Sequence, residues 1–327
     1  MAFRRGRFGP ALGVIGLILS ATPLSAQTSF KSWLEGFRGQ ALRAGITEHT
    51  LDTAFEGVKP IDRIIELDRK QPEGRMTFVE YKRKVISRSR IAKGRELLRR
   101  HAAVLAETER RFGVPAEVIV ALWGIESSFG EFKGRFPVID ALATLAYDGR
   151  REELFTRELI SALQILDNGD VDKVNMFGSW AGAMGQSQFM PSTFAGYAVD
   201  ADGDGRRDIW TSLPDVFASM ANYLSRIGWD RDYIWGREVT GAGKVAASKI
   251  GLDNELPLRE WKRMGLRRAD GGPLPVADIN ASLVTTDDGA GPSYLVYNNF
   301  RVIMRWNRST YFATSVGLLS DALRSGR

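Results

Sequence analysis

The sequence has no cysteine and only two histidines, His49 and His101, among 327 residues. Without thiols there are no disulfides, no thiolate metal site, and no cysteine on which a leader could be exchanged for a lipid anchor; the redox compartment cannot be read from cysteine use. With no Cys and two isolated His, a zinc site is not expected either, and both histidines read as surface or packing residues. No Gly-x-Ser-x-Gly elbow and no phosphate-cradling glycine loop is present. Nothing repeats at a fixed period, and no stretch is of low complexity. Long hydrophobic runs are also missing: Ala11 to Ser20 is the one candidate, and it is too short to span a bilayer comfortably.

What remains is an ordinary packed globular composition, 44% hydrophobic and 26% charged. The length suggests two domains or one large one, and a chain of this size can bury enough core without disulfide staples. Arg4, Arg5 and Arg7, then the Ala11–Ser20 run, then Leu24-Ser25-Ala26 follow the basic, apolar, small-residue order of a secretory signal peptide. We therefore expect residues 1–26 to be a cleaved leader and the mature chain to be periplasmic. The formal charge is +6, of which the three leader arginines account for half. Between Lys59 and Arg111 there are sixteen Lys and Arg against eight Asp and Glu. Nucleic acid is a poor partner for an exported chain lacking interleaved aromatics in that stretch. An anionic wall polymer fits better, and most of these side chains read as solvated helix faces.

Apolar residues at three- and four-residue spacing (Phe30, Trp33, Leu34, Phe37; later Leu97, Leu98, Val104, Leu105) predict helices over residues 30–110. Phe112-Gly113-Val114-Pro115 breaks that pattern and restarts a helix, with Pro115 suited to a first turn. From about 236 glycines cluster and β-prone runs follow, Ala281 to Thr286 and Tyr294 to Trp306, before a helical segment from Thr310 to Leu323. The expectation is a mainly α (α+β) fold: a helical N-terminal region over 27–110, a helical catalytic core over 111–235, a small β-rich insertion over 236–304, and a C-terminal helix over 305–327 returning to the core.

Two segments carry the chemistry. In the first, Val118-Ile-Val-Ala-Leu-Trp-Gly-Ile-Glu126-Ser-Ser-Phe-Gly130, a helix places Glu126 on one face with Ile119, Leu122 and Trp123. Desolvation there disfavours the anion and raises the pKa, as a general acid near neutral pH requires. The alternatives are a Glu that emerges to solvent at a helix end, or one that pairs with an Arg. In the second, Gly178-Ser-Trp-Ala-Gly182-Ala-Met-Gly185-Gln-Ser-Gln188-Phe-Met-Pro191-Ser, three glycines let the backbone approach a ligand or a neighbouring element. Ser179 and Gln188 offer hydrogen bonds suited to sugars.

A third segment, Asp200-Ala-Asp202-Gly-Asp204-Gly205-Arg206-Arg-Asp208, has the spacing of an EF-hand calcium loop. Asp200, Asp202 and Asp204 take positions 1, 3 and 5, the Arg206 carbonyl position 7, and Asp208 position 9. Position 12 is Thr211 in place of a bidentate Glu, and Asp215 is the substitute a few residues on. An Asp- and Gly-rich turn without metal is the other reading.

The pairing of Glu-Ser-Ser-Phe-Gly with Gly-Ala-Met-Gly-x-x-Gln-Phe-Met-Pro-Ser some fifty residues later resembles the membrane-bound lytic transglycosylase B family (glycoside hydrolase family 103), over nearly all of the mature chain. The resemblance implies a lysozyme-like core in which Glu126 is the single catalytic acid/base. It further implies that Ser179 and Gln188 contact substrate, that Arg150 and Arg151 face the sugar-peptide, and that Tyr223 lines the groove. It also brings a late Arg-Tyr-Asn-x-Ser segment that ends in Tyr-Ala. This chain departs from it, reading Arg305-Trp306-Asn307-Arg308-Ser309-Thr310-Tyr311-Phe312-Ala313. Asn307 matches; Trp306 and Phe312 replace two tyrosines, so a hydroxyl near Glu126 is either lost or supplied by Tyr311. Some family members bind calcium in the acidic loop.

The implied reaction is cleavage of peptidoglycan between N-acetylmuramic acid (MurNAc) and N-acetylglucosamine (GlcNAc), non-hydrolytically, with a 1,6-anhydro product. The implied partner is the glycan strand, acted on by a monomer with a structural Ca2+ and no organic cofactor. A hydrolytic muramidase differs in product only and lacks an obvious second carboxylate: Glu131, five residues on, should leave the Glu126 face. A non-catalytic, calcium-stabilised glycan-binding protein is the third reading, and it has no use for a buried acid. The leader is testable directly: N-terminal sequencing of periplasmic protein should begin near Gln27, and a mature chain retaining Met1 would refute export with cleavage.

Overall fold

The computed structural model describes residues 29–70 and 76–325; the expected leader lies outside them. Six helices come first: α1 (Phe30–Arg43), α2 (Glu48–Phe55), α3 (Asp62–Arg69), α4 (Phe78–Val85), α5 (Arg88–Arg100) and α6 (Ala102–Phe112). Their starts are set by short polar residues. Ser29, Thr47 and Ser87 each accept a backbone N–H of the first turn, and Thr77 with Glu80 forms a complete capping box on α4. Gly113, left-handed at φ 72°, ends α6.

Helix α7 (Ala116–Ser127) follows Pro115, and ten of its twelve residues are buried. An apolar run with no polar face can only sit in the middle of a packed structure. It is enclosed by α5, α6 and two later helices, α11 (Leu213–Arg226) and α14 (Thr310–Arg324). Before those come β1 (Phe136–Pro137), α8 (Val138–Asp148), α9 (Glu152–Asp167), β2 (Phe177–Gly178), which pairs antiparallel with β1, and α10 (Pro191–Tyr197). One hydrophobic core runs from Phe37 to Leu323, so the N-terminal helices share their core with the central ones.

The β-rich part is a five-stranded antiparallel sheet in the order β4-β6-β7-β3-β5, with strands β3 (Gly236–Thr240), β4 (Leu256–Pro257), β5 (Arg267–Arg268), β6 (Asn280–Thr285) and β7 (Ser293–Val296). Helix α12 (Leu258–Arg263) lies between β4 and β5. Strand alternation divides the side chains between two faces. Val284, Tyr294 and Val296 join the main core, while Ala281, Leu283 and Leu295 pack with Trp261, Leu258 and Tyr297 in a second, smaller core.

The expected β-run from Tyr294 to Trp306 is corrected beyond Val296: Asn298–Trp306 is helix α13. Its buried residues, Asn299, Phe300, Val302 and Ile303, recur at helical spacing, and that period decides over the β-branched composition. The chain therefore re-enters the main core at α13, ahead of the boundary at 305 expected from the sequence. The closing helix α14 needs small residues to lie close. A Cβ on Gly317 would stand 2.2 Å from the Trp235 ring, and Trp235 in turn donates its Nε1–H to Asp321 Oδ2 at 2.9 Å.

Candidate active site

Glu126 sits in the last turn of α7, and the chain leaves that turn through two non-glycine residues in the left-handed region, Ser128 (φ 51°) and Phe129 (φ 62°). Such conformations cost about 1–3 kcal/mol each and persist only where the surroundings impose them. Here Phe129 folds back onto Trp123, ring centroids 5.5 Å apart, and a Cβ on Gly124 would come within 2.6 Å of its ring. Ser127 Oγ donates to Trp123 O and accepts the Gly130 N–H, closing the turn.

The two sequence motifs are joined through Gln186, a residue that sequence reasoning passed over in favour of Gln188. Its Oε1 accepts from Trp123 Nε1 at 2.8 Å, and its Nε2 donates to Trp210 O at 3.0 Å, both in the interior. A Cβ on Gly130 would lie 2.2 Å from that Oε1, so the glycine of the first motif makes room for the glutamine of the second. The available signal was that α7 carries a Trp, whose N–H needs a partner once buried.

The Glu126 carboxyl accepts one hydrogen bond, from Trp306 Nε1 to Oε1 at 2.6 Å. Burial pushes its pKa up from 4.5 to about 7, against the opposing pull of the Trp306 N–H, which favours the anion. The residue keeps some exposed surface, while its charge is poorly hydrated. Trp306 belongs to an aromatic wall: its ring lies 5.2 Å from Phe189 and 5.1 Å from Tyr223, and Tyr223 is 4.7 Å from Tyr197. Tyr223 donates its hydroxyl to Arg305 O at 3.0 Å. On the other side stands Tyr81 of α4, whose ionisation is pushed up by burial and then by Glu126. Glu131 is exposed and pairs with Lys93 of α5, away from Glu126. Among the described residues, Glu126 thus faces a partly apolar, aromatic surface with one donor and no neighbouring carboxylate drawn into its titration, an arrangement able to hold and release one proton.

The other expected contact residues divide. Tyr223 is on the wall. Ser179 Oγ accepts the backbone N–H groups of Ala181 and Ala183, and Gln188, itself left-handed at φ 51°, donates to Gly185 O; both shape the glycine-rich turn beneath Phe189. Arg150 and Arg151 clamp the buried Asp68 of α3: Arg150 Nη1 donates to its carbonyl at 2.9 Å, and Arg151 pairs with its carboxylate. Asn307 is exposed and caps the turn into α14 by accepting the Ser309 N–H at 3.0 Å. Phe312 is a correction. It is 4% exposed in the main core, and a ring with no free surface packs and does not meet substrate. Tyr311 is not the missing hydroxyl: it donates to Asp287 Oδ1, which also receives the Phe78 N–H.

In the acidic loop, carboxylate oxygens of Asp200, Asp202 and Asp204 lie within 4.8 Å of one another. Asp208 and Asp215 lie outside that cluster of three. Asp208 caps its own turn through the Trp210 and Thr211 N–H groups at 2.8 Å. Asp215, wholly buried, accepts the N–H groups of Ala201 and Asp208 at 2.8 and 2.7 Å and so supports the loop from beneath. The Arg206 side chain is exposed. Arg207, unremarked in the sequence, ties the loop to Asp170 with a bidentate pair and stacks on Phe194.

The raised pKa of Glu126 has a consequence for stability. The folded chain binds this proton more tightly than the unfolded one, so the associated stability is full below about 4.5 and is lost as pH rises through about 7. Glu126→Gln cannot ionise. Its melting temperature should match the wild type at pH 4 and exceed it at pH 8, by at most about 3 kcal/mol in stability. Parallel curves across that range would mean that the carboxyl is well solvated.

Comparison with known proteins agrees with this geometry. The family described as Transglycosylase SLT domain matches residues 29–321. The chain is 31% identical over 296 residues to the membrane-bound lytic murein transglycosylase B of Escherichia coli K12, covering 86% of this chain and 80% of that protein. It is similar to the crystal structure of SltB3 from Pseudomonas aeruginosa in complex with NAG-NAM-pentapeptide, with a TM-score of 0.87 and 45% identity over 92% of this chain and 81% of that one. The structure of the Escherichia coli lytic transglycosylase Slt35 in complex with calcium gives a TM-score of 0.77 and 29% identity over 93% and 95% of the two chains. With a helical, lysozyme-like fold built around Glu126, this chain belongs to the SLT-domain lytic murein transglycosylases.

Proposed function

We propose that Glu126 performs both proton transfers of a lytic transglycosylase reaction on peptidoglycan. The observation that carries this is the carboxyl of Glu126, raised to about 7 by burial and bonded, among the described residues, to Trp306 alone. Neutral Glu126 gives its proton to the oxygen between MurNAc and GlcNAc. The C1–O bond breaks, its electron pair leaves with that oxygen as a GlcNAc hydroxyl, and positive charge develops at the MurNAc C1. The MurNAc 6-hydroxyl oxygen then bonds C1, and the Glu126 carboxylate takes its proton, restoring the acid. No water is consumed, so no second carboxylate is needed to activate one.

The partly exposed rings of Tyr223 and Trp306, backed by the buried Phe189, support sugar stacking beside the acid. Asn307 at the exposed α13–α14 turn, Ser179 and Gln188 at the glycine-rich turn, and the exposed part of Arg150 with Arg151 are the further positions we assign to glycan and peptide contacts. The basic stretch between Lys59 and Arg111 suits an anionic wall polymer. We place this chemistry in the periplasm, after export by the leader; among the described residues, no helix is long and apolar enough to cross a membrane.

Calcium fits the acidic loop. Three carboxylates brought together near the surface repel one another unless a cation is shared, and an all-oxygen set suits a hard ion. Asp200, Asp202 and Asp204, with the Arg206 carbonyl, would hold it, and the calcium complex of the Escherichia coli relative supports the assignment. The ion's role is structural. The melting temperature should rise with added calcium, and Asp200→Ala with Asp204→Ala should abolish the rise; identical melting in calcium and in chelator would reject the site.

For the reaction, Glu126→Gln should fold and bind glycan but cut it slower by roughly 10,000-fold, the upper end for one acid–base group. Mass spectrometry of wild-type digests of purified murein should show 1,6-anhydro ends, one water lighter than hydrolysed ones. Mainly reducing ends would favour a muramidase, and binding without any product would favour a glycan-binding protein.

A further inference from the structure

We infer that Trp306 is a positioning residue for this reaction: its indole N–H holds Oε1 of Glu126 and reserves Oε2 as the oxygen that hands the proton to the glycan and takes it back. The inference rests on the acid/base reading above. An indole N–H donates and cannot accept. A neutral carboxyl has one carbonyl and one hydroxyl oxygen, and the carbonyl oxygen is the better acceptor. A donor 2.6 Å from Oε1 therefore selects the form with the hydrogen on Oε2. Once the proton has left, the same N–H steadies the charge on Oε1, and Oε2 is free to receive the next proton.

The indole is held in place for this. It packs against both Phe189 and Tyr223, and Tyr223 is bonded to Arg305 O. Arg305 in turn donates to Ile227 O at 2.6 Å, fixing the end of α13 against α11. A tyrosine, which the family pattern has at this position, both donates and accepts, so it tolerates either protonated form; the tryptophan of this chain does not. The other titratable and charged groups that face Glu126 stand off its hydrogen bond. Tyr81 of α4 is sensed only through its charge, Arg90 of α5 is bonded to Val85 O and Ser128 Oγ, Lys93 is taken by Glu131, and Tyr223 of α11 is directed at Arg305.

The test compares Trp306→Phe and Trp306→Tyr with the wild type by infrared difference titration, the Glu126 band being the one that Glu126→Gln loses, alongside kcat and KM against pH. In Trp306→Phe the carbonyl stretch of the protonated acid should move to higher frequency. Its titration midpoint should rise by roughly one pH unit, because the anion loses a donor. The alkaline limb of kcat/KM should follow it, with kcat down about 10- to 100-fold. Trp306→Tyr should restore the midpoint but show two carbonyl populations and only part of kcat. A Trp306→Phe protein with unchanged carbonyl frequency, midpoint and kcat, and a raised KM alone, would overturn the inference and leave Trp306 as a stacking surface. Should Trp306→Phe fail to fold, a single wild-type carbonyl band and full kcat in Trp306→Tyr would overturn it equally. Product ends are read in the same digests: hydrolysed ends would reject the transglycosylase reading, while the infrared shift would still support the assignment of Oε2.

Discussion

The site depends on removing one carboxyl from water. Helix α7 is mostly apolar and buried around nearly its whole circumference at the centre of the packed helices, so a glutamate in its final turn is carried into a poorly hydrated place. Ionisation there forfeits solvation that one indole N–H restores only in part, which is why the pKa settles near neutrality rather than near 4.5. The acid needs no neighbouring negative charge to stay protonated at working pH.

Several distant parts of the chain serve that arrangement. The left-handed pair Ser128–Phe129 turns the backbone sharply away from Glu126 and buries Phe129 on Trp123. Gln186 then fastens Trp123 to the glycine-rich turn, which sets Phe189 beside Trp306. The antiparallel sheet contributes by position: with one face on the main core, it delivers the chain at Tyr297 to the start of α13. Nine residues of helix then carry Trp306 to the acid, 180 positions away in sequence. The acidic loop acts at one remove. Asp215 holds its backbone, and Arg207 pins it to Asp170, just past the end of α9, so a cation bound there would stiffen the segment between α10 and α11, and α11 bears Tyr223.

Sequence and structure part company where local chemistry has two uses. Ser179 and Gln188 are polar residues in a glycine-rich turn, where they serve backbone N–H and carbonyl groups as well as offering hydrogen bonds to sugars. Asp208 and Asp215 have the right composition for a metal loop, and their oxygens also accept backbone N–H groups that only the folded loop brings near. Phe312 sat within a recognisable segment, yet the period of α14 turns it inward.

By itself the sequence determined that the protein is mainly helical, that a carboxyl group stands at the end of an apolar helix, and that no thiol chemistry is available, because these follow from composition and from periodicities of a few residues. It also determined the Asp200-Asp202-Asp204 spacing, which is local. The tertiary structure alone decided that Trp306 is the partner of Glu126, that Gln186 joins the two motifs, and that Arg150 and Arg151 meet Asp68. Each of these is a contact between elements far apart in the chain, and no short-range pattern encodes which distant donor a buried oxygen will find. The raised pKa belongs to both. The apolar run foretold desolvation, but how far the pKa would rise was fixed only when the fold put one N–H, and no second acid, against the carboxyl.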